Sequence, residues 1–181
     1  MTAERIPVFD LDGTLLDSDR ALIEPFLSLG IREDAVTFGQ TLAEACAELG
    51  VSVDAYLEKY DTTIAMPFPS VEELLERLPR WAIFSNKLAV AADAEIARLG
   101  WKPEVAFYSE SFGGPKRLAP VLEALGVGPQ EAICIGDSDH DRACAEEAGV
   151  DFALAGWNPR ASAGDGDIVL SRPLELIDLL R

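Results

Sequence analysis

Short runs of apolar residues recur along the chain, separated by longer stretches in which apolar positions follow a helical period. Ile6–Phe9 and the runs at 81–84, 105–108, 132–135 and 152–154 are almost wholly apolar, the pattern of strands buried on both faces. Ile168–Leu170 is a further short strand candidate. Between these runs, 88–99, 118–125 and 142–148 have helix length and period. The alternation predicts a parallel sheet covered by helices on both sides, a three-layer α/β/α, Rossmann-like core. Pro7 sits awkwardly in the first run, because proline donates no hydrogen bond to a neighbouring strand. It is tolerated if the strand effectively begins there.

The alternation lapses between Asp17 and about Val71, where no convincing strand is read and helical patterns at 20–29, 37–49 and 53–64 take over. Gly30 and Gly50 read as helix stops, and Ser52 as the cap of the helix that follows. Met66-Pro67-Phe68-Pro69 is a stiff stretch suited to a hinge. The expected organisation is an α/β core formed by 1–16 and 72–181, with a small α-helical domain, 17–71, inserted after the first strand. No internal repeat or low-complexity segment is present.

Charge narrows the partners. Against 32 acidic residues stand 15 Lys and Arg, a formal net charge of −17. Such a surface repels nucleic acid and anionic membranes, and neither is expected as a partner. It also repels an anionic small molecule, so a phosphate site needs local positive charge or a metal. Three scattered cysteines, without a CxxC pair, argue against a disulfide framework and fit a reduced cytoplasm. With His140 as the only histidine, a zinc site built from Cys and His is not expected. No run approaches the length of a membrane span, and nothing at the N-terminus suggests secretion.

Four polar clusters fall at the ends of predicted strands, where the loops of a doubly wound sheet converge on one crevice. Asp10-Leu11-Asp12-Gly13-Thr14 follows the first strand. One carboxylate of such a pair can attack phosphorus, and the other can shuttle protons. Read blandly, it is a polar turn with a permissive glycine. Ser85-Asn86-Lys87 offers a hydroxyl and backbone N–H groups to a phosphoryl oxygen, or merely a strand-to-helix cap. Gly113-Gly114-Pro115-Lys116-Arg117 puts cations before a helix, where the dipole disfavours them. Either Lys116 or Arg117 could face a phosphoryl group, or both could be solvated. Gly136-Asp137-Ser138-Asp139-His140-Asp141 holds three carboxylates in five residues, a donor set for a hard divalent cation, or else an acidic surface turn. The spacing is not that of an EF-hand, and His140 reads as a solvated residue at a helix start. Cys134 reads as core.

In this order the clusters resemble the haloacid dehalogenase superfamily, and most nearly its phosphoglycolate phosphatase-like branch with a helical cap. The stretch from Phe9 to Ser18 resembles that branch's opening signature. Pro67-Phe68-Pro69-Ser70-Val71 resembles its return from cap to core, and Ile135-Gly136-Asp137-Ser138 with Asp141 its metal motif. Gly156-Trp157-Asn158 resembles a loop after the next strand. The resemblance implies a magnesium-dependent phosphatase acting on a small phosphorylated metabolite, such as phosphoglycolate or a sugar phosphate. Asp10 would be the nucleophile and Asp12 the general acid and base. Ser85, Asn86 and Lys116 would bind the phosphoryl group. Asp10, the Asp12 carbonyl and Asp137 would hold Mg2+, with Asp141 supporting the metal or orienting Lys116. The usual Lys-Pro of the third motif is Lys116-Arg117 here. The cap cations Arg20, Arg32 and Lys59 read as solvated, so the substrate and the oligomeric state stay open. A β-phosphoglucomutase-type mutase is the alternative within the same chemistry. A non-enzymatic phosphate-binding or regulatory protein is the alternative outside it.

Overall fold

The computed structural model describes residues 5–181. Six strands form one sheet: β1 (Ile6–Phe9), β4 (Ala82–Phe84), β5 (Val105–Phe107), β6 (Ala132–Gly136), β7 (Asp151–Ala155) and β8 (Ile168–Leu170). Their order is β5-β4-β1-β6-β7-β8, with every pairing parallel. The chain builds outward from β1 through β4 to β5, then returns to add β6, β7 and β8 on the other side. The topology therefore switches direction at β1, where α/β sheets open a crevice at the carboxyl ends of their strands.

Side chains alternate across β1. Phe9 joins a core with Ile83, Ile133 and Ile135, covered by α4 (Val71–Arg77), α5 (Ala89–Leu99) and α9 (Leu176–Leu179). Ile6 and Val8 join Ala82, Phe84 and Cys134 on the opposite face, under α7 (Ala119–Leu125) and α8 (Asp139–Ala148). Each fully buried side chain of this size contributes about 1.5–3 kcal/mol of hydrophobic stabilisation. Layering and strand placement match the expectation, with ends that differ by a residue or two. Pro7 lies inside β1, yet its missing N–H costs little. Asp10 donates its N–H to Ile135 O, so by alternation Val8 also points its N–H to β6 and Pro7 faces β4. Pairing with β4 begins only at Val8.

The inserted segment differs more from its sequence reading. The expected helix at 37–49 forms only over α2 (Leu42–Leu49). Thr41 caps it in a reciprocal box with Glu44, and 36–40 is left as an irregular stretch. The expected helix at 53–64 stops early, at α3 (Val53–Leu57), and runs on as turns. The segment also contains strands where none was expected. β2 (Leu16–Asp17) pairs antiparallel with β3 (Met66–Pro67), tying the way out of the core to the way back. Two-residue strands are too short to show a period. With α1 (Asp19–Ser28), these helices share a small core of their own, in which the Phe26 and Tyr56 rings stand 4.6 Å apart. A four-residue helix, α6 (Ser109–Phe112), completes the set.

Candidate active site

Asp10 directly follows β1 and is still tied to the sheet, through its N–H bond to Ile135 O at 2.9 Å. The chain then turns sharply, with Leu15 and Leu16 both donating back to Leu11 O. Gly13 adopts φ +84°, and a Cβ there would lie 2.4 Å from Asp137 Oδ2. A glycine is thus needed both for the turn and for the approach of the β6 loop. Gly136 is constrained by the same loop, since a Cβ on it would lie 2.3 Å from the Cβ of Asp141.

Two buried ammonium groups organise the acids. Lys116 Nζ lies 2.5 Å from Asp10 Oδ1 and 2.6 Å from Asp141 Oδ1, and 4.4 Å from the centre of the Phe84 ring. The other Asp141 oxygen accepts from the N–H groups of Asp137 and Ser138 and from the Ser138 hydroxyl. Arg117 is exposed and turns toward Phe112 O, so Lys116 is the cation beside Asp10. Lys87 forms the second centre, 2.8 Å from both Asp12 Oδ1 and Glu95 Oε2. Glu95 also accepts from the Tyr60 hydroxyl of the inserted segment at 2.6 Å.

Ser85 Oγ accepts the Lys87 N–H at 3.1 Å. Ser85 and Asn86 do not cap α5, whose start instead donates the Ala89 N–H to the Glu110 carboxylate. Asn86 links the two parts of the molecule, accepting the Lys116 N–H and donating to Gly39 O, both at 2.9 Å.

Burial dominates the protonation of these groups. It drives the Asp10 carboxyl well above the usual carboxylate range, against the pull of Lys116 and with the push of Asp141 and Asp137. Asp137 is raised to about 6 by burial and by Asp141, with Arg160 and Lys116 pulling the other way. For Lys116, burial works against the charge, but Asp10 and Asp141 outweigh it and raise its pKa. Crowded carboxylates with raised pKa values suit a divalent cation, which would replace repulsion by attraction. Carboxylate oxygens of Asp10, Asp137 and Asp141 lie within 4.8 Å of one another. The Asp12 carboxylate is outside that group and belongs to Lys87. His140 is half-buried, not solvated, and it is not among the clustered ligands.

These loops floor a cavity of about 300 Å³ whose opposite wall comes from the inserted helices. Asp10, Asp12, Ser85, Asn86, Lys116 and Asp137 all reach it, and Asp141 lies beneath Lys116. The sequence reading gave no role to Lys87 and missed Glu95, Tyr60 and Arg160. It also gave no contact to Asn158, which donates to Gly13 O and Asp137 Oδ2 at 2.8 and 2.9 Å. Glu95 had a legible signal. It shares the buried face of α5 with Ala91, Ala92 and Ile96, an acid in an apolar stripe.

Comparison with known proteins shows the family. A phosphoglycolate phosphatase of Aquifex aeolicus is 31% identical, with 97% of this chain and 96% of that protein covered. The pyrophosphatase PpaX of Bacillus velezensis is 27% identical over 99% of this chain and 98% of its own. A haloacid dehalogenase-like hydrolase structure from Streptococcus pneumoniae superposes with a TM-score of 0.76 at 24% identity, over the whole of both chains. The profile described as haloacid dehalogenase-like hydrolase matches residues 7–155, and the chain belongs to that family.

Proposed function

We propose that the protein is a magnesium-dependent phosphatase that hydrolyses small phosphate monoesters through a phosphoryl-aspartate at Asp10. The observation that carries this reading is the Asp10 carboxylate at the end of β1, beside the Lys116 ammonium at 2.5 Å and open to the cavity. In the first half-reaction an Asp10 oxygen bonds to phosphorus as the ester P–O bond breaks. The departing alkoxide takes its proton from Asp12. In the second, Asp12 removes a proton from water, which attacks the phosphoryl-aspartate and frees inorganic phosphate.

Lys116 and the Ser85 hydroxyl are assigned to the phosphoryl oxygens, with Asn86 holding the Lys116 loop. Arg117 is left out because it points away. Mg2+ would be held by the Asp10 and Asp137 carboxylates and the Asp12 carbonyl. When bound, it offsets negative charge between nucleophile and phosphoryl group. Both Asp141 oxygens are already engaged, which favours orienting Lys116 as its role. We assign 17–71 as a cap whose neck is the β2–β3 ribbon. The buried cysteines fit a reduced cytoplasm, and no helix among the described residues is long and apolar enough to cross a membrane.

The test is phosphate release from a panel of phosphorylated metabolites, with Mg2+ and with chelator, using Asp10→Asn as control. Release that requires Mg2+ and Asp10 supports the reading. Release that survives chelator or the substitution rejects it.

A further inference from the structure

The cavity has two chemically different halves. The floor is charged. The wall supplied by the inserted segment presents Leu22, Phe26, Val36, Phe38, Tyr56 and Tyr60, and at its rim Thr37 and Gln40, whose amide donates to the Thr37 hydroxyl oxygen at 2.8 Å. The two phenol protons there are already used, Tyr56 donating to Leu22 O at 3.0 Å and Tyr60 to Glu95.

Three cations reach the cavity, and each is committed. Lys116 sits between Asp10 and Asp141, and Lys87 between Asp12 and Glu95. Arg160 grips Asp19 through two bonds of 2.5 and 2.6 Å and lies over the Phe38 ring at 4.1 Å. Of the cations in the inserted segment, Arg20 and Arg32 are exposed and paired with Glu24 and Asp34. Lys59 is exposed and not on the wall. Four carboxylates, Asp10, Asp12, Asp137 and Asp139, line the same space.

We infer that the alcohol released from the phosphate ester is uncharged and largely apolar, with a ring or branched chain facing the aromatic wall. It is not an acid such as glycolate. The inference rests on the phosphatase reading and names its substrate class. A carboxylate on the leaving group would be desolvated against the aromatic wall, where the inserted segment presents no cation, an unfavourable transfer. An apolar group instead displaces water from Phe26 and its neighbours and gains area and ring contacts.

The experiment compares kcat/KM for benzyl phosphate, propyl phosphate and 2-phosphoglycolate in the presence of Mg2+. All three have alkyl-type leaving groups. Benzyl phosphate is expected to exceed phosphoglycolate by about tenfold or more. Val36→Lys, which adds a cation to the apolar wall, is expected to narrow that ratio by raising phosphoglycolate turnover. A parallel calorimetric titration with uncleavable benzylphosphonate and phosphonoacetate reads the preference without catalysis, and tighter binding of the benzyl compound is expected. Equal or better turnover of phosphoglycolate would overturn the substrate class and leave the phosphatase intact, and its selective loss in Arg160→Met would name the cation responsible. If no ester is cleaved the phosphatase reading fails, and tighter phosphonoacetate binding would overturn the cavity argument separately.

Discussion

The buried ammonium of Lys87 donates to Asp12 Oδ1 at 2.8 Å, so the proposed acid and base is held by a cation from the neighbouring strand end. The same ammonium meets Glu95, and Glu95 receives the Tyr60 hydroxyl. Position of the proton-transfer group and seating of the inserted helices are thereby joined. Lys87→Met removes the shared cation and leaves Glu95 buried without it. Loss of one partner of a buried pair costs about 3–5 kcal/mol, which denaturant unfolding would register. Because Lys87 acts through Asp12, kcat is expected to fall more than KM rises, with Lys87→Arg recovering part of the loss. Equal loss in both parameters would point to substrate binding instead.

Asp10→Asn is expected to reduce kcat on the order of 10⁴-fold or more, as loss of a nucleophile does. The fold should persist, since the change also removes a negative charge that Asp137 and Asp141 oppose. Circular dichroism checks the fold, and single-turnover phosphate release checks the chemistry.

Asp137 gives a pH dependence with a definite sign. Its pKa is about 6 in the folded protein, above the roughly 3.9 of an unfolded aspartate. The folded state therefore holds the extra proton, and metal-free stability declines as pH rises from about 4 toward 6. Burial of Asp10 acts in the same direction. Mg2+ should bind the ionised carboxylates, so its affinity rises through the same window. At 100 times its dissociation constant it adds about 2.7 kcal/mol. Thermal melts in chelator and in Mg2+ from pH 4 to 8 should diverge with increasing pH. Parallel curves would remove Asp137 from the metal site.

Gly136→Ala tests the packing beneath Lys116. The added methyl would lie 2.3 Å from the Asp141 Cβ, so the loop and α8 must part. Overpacking of this kind costs about 1–3 kcal/mol. Activity is expected to fall further than that destabilisation explains, because Asp141 no longer holds Lys116 beside Asp10. A stable variant of full activity would show that this close approach is not required.

The sequence by itself determined the sheet and singled out the acids proposed to react. Strands such as Ile6–Phe9 and Ala132–Gly136 are legible because burial on both faces demands an unbroken apolar run, a property of adjacent residues. Asp10, Asp12, Asp137 and Lys116 are legible because they lie at the ends of such runs or in the loops between them. Tertiary structure alone decided between Lys116 and Arg117, since two adjacent cations differ only in which way the loop turns them. It alone joined Lys87 to Asp12 and Glu95, residues whose contact depends on how β4 and α5 pack beside β1. The β2–β3 ribbon and the early end of α3 were equally hidden. Two-residue pairings carry no period, and a helical pattern cannot reveal where tertiary contacts draw the chain away to bring Tyr60 over the site.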